Sequence, residues 1–165
     1  MIQCKGYKVQ KGRSLALRPQ ATSSEPLSDS SDAALSPVSV RARDVLRGGT
    51  EPAFSSELDT ENRAGTFVCA GCLEPLFPSE CKFDSGTGWP SFWAGSRDAI
   101  KIEDGGLFSN PLATVFGREV KCSNCGGHLG HRFDDGPRKT TGKRFCINGA
   151  ALRFRPDITA SKGTP

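Results

Sequence analysis

Seven cysteines and two histidines hold most of the chemistry open to this 165-residue chain. Four of the cysteines form two pairs with the same spacer, Cys69-Ala-Gly-Cys72 and Cys122-Ser-Asn-Cys125, with 49 residues between the pairs. A two-residue spacer lets both thiolates of a pair reach one ion from a tight turn, and four thiolates complete a tetrahedron. Gly71 inside the first turn, and Gly126 and Gly127 just after the second, suit that geometry. The pattern predicts one structural zinc ion held by Cys69, Cys72, Cys122 and Cys125. A closed four-thiolate site leaves no position for water, so such an ion would staple the fold rather than react. The alternative is a pair of redox dithiols or disulfides. Redox CxxC pairs usually open a helix of a thioredoxin-like unit, and neither pair here does.

Cys4, Cys81 and Cys146 remain. Cys146 lies in "RFCINGAALRFRP", the most strand-like run of the chain. Alternate strand residues share a face, so Arg144, Cys146 and Asn148 project together while Phe145 and Ile147 enter the core. Ala150, Leu152 and Phe154 would continue the first face as an apolar stripe. A thiol beside a fixed guanidinium is a stronger acid and a better nucleophile. The alternative is a buried structural cysteine, since free cysteine is often simply core; the polar neighbours on its own face argue against that.

His128 and His131 are the only histidines, in "GGHLGHRFDDGP", which starts directly after the second cysteine pair. A turn at Gly130 would aim both rings at one site, where imidazole is the natural proton donor near neutral pH. A ligand role for either ring is disfavoured because four cysteines already satisfy zinc. In "GTGWPSF", glycines and a proline would present Trp89 from a loop, as an apolar wall for a small group such as a methyl. The alternative is an ordinary core tryptophan.

The elements that must position these residues are short. "GTFVCAGC" and "REVKCSNC" each read as a strand running into a cysteine knuckle, and "DAIKIEDGG" as a further strand. The glycines and prolines of "PLFPSECKFDSGTGWPSFW" exclude a helix there. One short helix is expected in "SPVSVRARDVLRGG", with Ser36 as its cap, Pro37 at its first position and Gly48 as its stop. The expected class is all-β, β-rich with short N-terminal helices: antiparallel sheets around one core with a four-cysteine zinc staple.

The chain carries a net charge of +4, but its first 24 residues hold five basic side chains and no acid, which leaves the remainder at −1. A near-neutral body makes no electrostatic case for nucleic acid. No apolar run approaches the roughly 18 residues of a membrane helix, so no membrane partner is expected. Residues 1–35, basic and hydroxyl-rich and then Ser/Pro-rich, have the composition of an organellar transit peptide with a linker, or of a plain disordered tail. A plastid or mitochondrion is therefore favoured over the cytoplasm. A catalytic domain is expected over 36–157, with a flexible tail over 158–165.

Five motifs together resemble the B-type methionine sulfoxide reductases, which act on methionine-R-sulfoxide. They are "GTEPAF" (49–54), "CAGCLEPLF" (69–77), "KFDSGTGWPSF" (82–92), "EVKCSNCGGHLGHRFDDGP" (119–137) and "GKRFCINGAALRF" (142–154). The resemblance implies two antiparallel sheets and a zinc staple away from the chemistry. It implies Cys146 as the nucleophile that becomes a sulfenic acid. His128 and His131 would bind and protonate the sulfoxide oxygen, and Arg144 would stabilise the thiolate. Asn148 and Asp135 would orient the site, and Trp89 and Phe133 would contact the substrate. The implied partners are oxidised proteins carrying methionine-R-sulfoxide, with thioredoxin, glutaredoxin or glutathione as reductant, and a monomeric state.

The sequence departs from that pattern at several places. Many family members carry a recycling cysteine where this chain has Thr87; Phe145 replaces a common tyrosine, Lys139 a common proline, and residues 98–117 match poorly. Recycling is therefore left to an external thiol, to Cys81 as a resolving cysteine, or to Cys4. Two other classes compete: a zinc-ribbon protein- or nucleic-acid-binding module, which would account for the paired cysteines and nothing else, and a thiol–disulfide oxidoreductase using the CxxC pairs.

Overall fold

The computed structural model describes residues 39–103 and 117–157. The proposed transit segment, Cys4, Ser36, Pro37, the C-terminal tail and most of the poorly matching stretch lie outside the described residues.

The helix α1 spans Val40–Leu46, and its cap is Ser39, whose Oγ accepts from the Ala42 amide at 3.1 Å. The cap expected at Ser36 is thereby corrected: the hydroxyl that reaches the free N–H groups of the first turn is Ser39. Gly48 follows the helix with φ of 114°, a conformation glycine adopts without steric cost. Ala42 and Val45, three apart, share the buried face.

Nine strands follow among the described residues: β1 Gly65–Cys69, β2 Pro75–Pro78, β3 Lys82–Phe83, β4 Ser91–Phe92, β5 Ile100–Glu103, β6 Arg118–Cys122, β7 His128–Phe133, β8 Arg144–Ile147 and β9 Leu152–Pro156. They form two antiparallel sheets, one in the order β2-β1-β9 and one in the order β3-β4-β8-β7-β6-β5. The architecture is the β-rich pair of sheets that the sequence predicts.

The core lies between the sheets. Phe77 of β2 stacks on Phe92 of β4 at 4.4 Å, and Phe67 of β1 meets Phe92 edge-on at 5.0 Å. All three phenylalanines are fully buried, each side chain contributing about 1.5–3 kcal/mol by leaving water. This packing locks β4 against β8, the strand that carries Cys146.

The run after Cys146 does not continue as one strand. A 3-10 turn at Gly149–Ala151 ends β8, and β9 joins the other sheet beside β1. The alternation predicted for Arg144, Cys146 and Asn148 therefore stops at Asn148, and Ala150, Leu152 and Phe154 do not extend that face. The cause is a distant carboxylate: Glu51 accepts from the amides of Gly149 at 2.5 Å and Ala150 at 3.1 Å, holding the chain in a turn.

Candidate active site

The two knuckles close on each other. Sγ of Cys69 lies 3.7 Å from Sγ of Cys125, and Sγ of Cys72 lies 3.6 Å from Sγ of Cys122. All four sulfurs fall within 4.8 Å of one another, and none is in a disulfide. A tetrahedron with metal–sulfur bonds of about 2.3 Å has edges of roughly 3.8 Å, so this donor set fits a thiophilic cation. Four cysteines are thus gathered where one metal ion could be held. Leu46 of α1 lies against the knuckle turns at Gly71 and Gly127, where a Cβ would meet its side chain.

The reactive centre forms across β4, β8 and β7. In register, Cys146 stands opposite Ser91 on one side and opposite His131 on the other. Directly opposed residues of an antiparallel pair hold their Cβ atoms about 4.5–5.5 Å apart. Gly130 permits the approach of β8, because a Cβ there would collide with the Cys146 carbonyl oxygen. A cleft of about 160 Å³ opens at this point, with Trp89, His131, Phe133, Cys146 and Asn148 in its wall together with Thr50.

The histidines are brought together by a bulge, not by the turn expected at Gly130. In the β6–β7 pairing, Val120 faces Gly130 while Lys121 faces His128, so Leu129 is an extra residue on β7. Three residues apart on a regular strand, two side chains point to opposite faces; one extra residue returns them to the same face. The rings lie 5.3 Å apart, edge to face. His131 lines the cleft, whereas His128 is buried behind it with Nδ1 2.8 Å from Oε1 of Glu119. Burial and the neighbouring His128 push the pKa of His131 down, partly countered by Glu119.

Cys146 is half-buried, and burial pushes its thiol up. Thr87, Arg144 and Ser91 pull the other way without overcoming that burial. Oγ1 of Thr87 is 3.9 Å from Sγ of Cys146, and Ser85 hydrogen-bonds both Thr87 at 2.8 Å and Ser91 at 2.7 Å. Three hydroxyls therefore run in a row beside the thiol. Arg144 makes a two-pronged pair with Asp135, through Nε at 2.9 Å and Nη2 at 2.8 Å, and lies 4.4 Å from the Phe133 ring centre. That pair lowers the Asp135 pKa and fixes the guanidinium near Cys146.

Glu51 is the site residue that sequence reasoning missed. Its side chain is 1 % exposed and within 3.5 Å of Arg41. Besides holding the Gly149–Ala151 turn, its main-chain N–H donates to Oδ1 of Asn148 at 3.0 Å, and its carbonyl accepts from Trp89 Nε1 at 3.0 Å. Asn148 in turn donates to the Leu129 carbonyl at 3.1 Å. The segment before the first strand thus anchors two walls of the cleft. Its only signal in sequence was its place inside "GTEPAF". Cys81 is fully buried in a 3-10 turn at Ser79–Cys81, outside the cleft.

Comparison with known proteins follows the same residues. The profile described as "SelR domain" matches residues 39–156. "Peptide methionine sulfoxide reductase MsrB" of Hahella chejuensis is 50 % identical over 111 residues, covering 67 % of this chain and 76 % of the relative. The protein of that name from Methanosarcina barkeri is 46 % identical over 122 residues, 72 % of this chain and 81 % of its own. "Methionine-R-sulfoxide reductase B3, mitochondrial" of Mus musculus is 49 % identical over 118 residues, 70 % of this chain and 44 % of its own. With the two sheets, the four gathered cysteines and most of its length matched, the chain belongs to the SelR-domain family.

Proposed function

We propose that this protein reduces methionine-R-sulfoxide to methionine, in oxidised proteins and as the free amino acid, with Cys146 as the nucleophile. The observation that carries the reading is the rung of β7 and β8 on which His131 faces Cys146, at a cleft walled by Trp89 and Phe133. A sulfoxide oxygen leaves sulfur only as it takes up a proton, so the site needs a soft nucleophile, an acid opposite it and an apolar slot for the methyl. A zinc-ribbon binding module would leave this second constellation without a purpose.

In the reaction, Sγ of Cys146 attacks the sulfoxide sulfur. The oxygen then bonds to Sγ as its bond to the substrate sulfur and the transient sulfur–sulfur bond break, so methionine leaves and Cys146 becomes a sulfenic acid. Cys146 loses two electrons and the sulfoxide gains them. The single proton of the resting thiol equals the single proton of the product hydroxyl, so a thiol held up by burial is sufficient if His131 passes that proton to the oxygen. His128, tied to Glu119, backs His131. Arg144, held by Asp135, favours negative charge on sulfur as the proton departs. Asn148 fixes the end of β8, and Trp89 and Phe133 enclose the methyl side.

The ion suited to the knuckles is zinc, since four thiolates at tetrahedral spacing match its preference. It would supply folding energy and no chemistry. For recycling, Thr87 offers no thiol. Phe83, Ser91 and Cys146 share one rung, so the segment carrying Cys81 is two interstrand spacings away, roughly 9.5 Å, beyond a disulfide's reach unless β3 or β4 leaves the sheet. We therefore favour an external thiol over Cys81 as the reductant, and a monomer as the working unit.

The test is a peptide carrying methionine sulfoxide of one configuration, incubated with dithiothreitol and weighed by mass spectrometry. Loss of one oxygen from the R epimer and none from the S epimer is expected. Equal loss from both, or from neither, would defeat the assignment.

A further inference from the structure

A second cavity, of about 430 Å³, flanks Cys146 and has no lining residue in common with the cleft. Its wall includes Asp84, Ser85, Thr87, Asp135 and Arg144. Two of these border the thiol: Oγ1 of Thr87 lies 3.9 Å from Sγ, and the Arg144 guanidinium favours the charged form of Cys146. Cys146 lines the cleft with His131 and Trp89, and Thr87 and Arg144 separate it from the second cavity, whose wall mixes hydroxyls, charges and Phe83.

We propose that the second cavity is the port through which the reducing thiol reaches Cys146, and that it takes a small monothiol carrying an ammonium group. This rests on the reductase reading. The oxygen of the sulfenic acid comes from the substrate, so the S–O bond points into the cleft. Displacement at divalent sulfur is in line, with the attacking sulfur opposite the leaving oxygen. An attacking thiol must come from the far side of Sγ, past Thr87. That is where the second cavity opens.

The charges of the port select the thiol. Asp135 is engaged by Arg144 at 2.8 Å. Asp84 is exposed, caps the Gly86 amide at 2.8 Å, and has no cation at ion-pair distance among the described residues. It is the group open to an incoming ammonium. Phe83 and Pro137 also line the cavity and give the carbon chain of a small thiol an apolar wall beside Asp84. Arg144 keeps the attacking sulfur ionised as it nears Cys146.

The steps balance. One thiol attacks Sγ, a disulfide bond forms, the S–O bond breaks, and the thiol's proton leaves with the hydroxyl as water. A second thiol attacks the outer sulfur of the mixed disulfide, its proton restores the Cys146 thiol, and the two reductant sulfurs depart joined. Two thiols supply the two electrons that Cys146 lost.

The experiment separates the two halves of the cycle. The enzyme is mixed with R-sulfoxide peptide and no reductant, and one equivalent of methionine peptide per Cys146 should form; absence of that burst would sink the reductase reading and the port with it. The oxidised enzyme is then mixed with cysteamine, 2-mercaptoethanol or mercaptoacetate at matched thiolate concentration, and decay of the sulfenic acid is timed. Cysteamine should be fastest and mercaptoacetate slowest. Asp84→Lys should leave the burst unchanged, slow cysteamine about tenfold and reverse the order, as expected for swapping an attractive for a repulsive exposed charge. Dithiothreitol, uncharged, should change less than about twofold on the same grounds. A normal burst with rates indifferent to thiol charge in both proteins would overturn the port. So would an Asp84→Lys effect confined to reduction by thioredoxin, which would mark a protein-docking surface instead.

Discussion

At the end of β6, Cys122 sits 3.6 Å from Cys72, with two further sulfurs within 4.8 Å. In the middle of the same sheet, Cys146 on β8 faces a hydroxyl row, a guanidinium and an imidazole instead. Both regions bury thiols, and in both burial pushes thiols up: Cys122 to about 11, and Cys146 above its ordinary value. What differs is the company. Four convergent sulfurs suit a thiophilic cation, and thiolates that shared one would have little freedom left to react. A single sulfur with an imidazole opposite and hydroxyls beside it keeps its lone pairs available. Under the proposed reaction, identical side chains would serve as staple or nucleophile according to the number of sulfurs that meet and the groups that fill the remaining directions.

The strongest way to break this comparison is to remove one sulfur from each region. If the knuckles hold zinc, Cys122→Ser should lose the metal and much of its stability, since a structural zinc site contributes roughly 10 kcal/mol or more. Metal analysis and thermal melting check it; an unchanged melting temperature in the metal-free variant would mean the knuckle is no staple. Cys146→Ser should do the reverse. Its melting temperature and metal content should hold, while R-sulfoxide reduction falls by about a thousandfold or more, because a serine hydroxyl is a far weaker nucleophile at sulfur.

A third variant probes the segment that joins the regions. Helix α1 rests on the knuckle through Leu46, and Glu51 five residues later ties down Asn148, Trp89 and the Gly149–Ala151 turn. Glu51→Ala leaves one buried and one part-buried amide without an acceptor, so stability should drop by about 2–4 kcal/mol. Urea denaturation measures this. Because Trp89 and Asn148 bond to the Glu51 main chain, activity per folded molecule should fall less than stability does.

The smallest effect concerns ionisation. The Cys146 pKa is raised, so its reactivity toward iodoacetamide should be full above that pKa and lost as pH falls through it, with a midpoint above that of free cysteine. Arg144 favours the thiolate, so Arg144→Ala should move the midpoint higher still, by about one pH unit, or tenfold in rate at neutral pH. A downward shift would show that Arg144 does not act on the sulfur. In contrast, no substitution at Arg144 should alter metal content.

Much of this was legible in the chain. The knuckles were readable because a two-residue spacer constrains both thiols by local geometry alone. The placing of Cys146 beside Arg144 and Asn148 was readable because strand alternation spans only Arg144 to Asn148. The sheets followed from short β-prone runs between glycines and prolines. The side on which His128 falls was legible only in part: the two rings were expected together, but through a turn at Gly130, whereas a bulge at Leu129, set by pairing with β6, does it.

What only the tertiary structure decided lies at long range. Glu51 reaches Asn148 and Gly149 across 97 and 98 residues, and that contact, rather than any local propensity, ends β8 and sends β9 to the other sheet. The hydroxyl row beside Cys146 assembles from a loop 59 residues upstream. Spacing and alternation are properties of a few consecutive bonds, so sequence carries them directly. Which distant carboxylate satisfies a buried amide is settled only when the sheets pack and water is gone, because only then does leaving that amide unpaired cost about 1–3 kcal/mol.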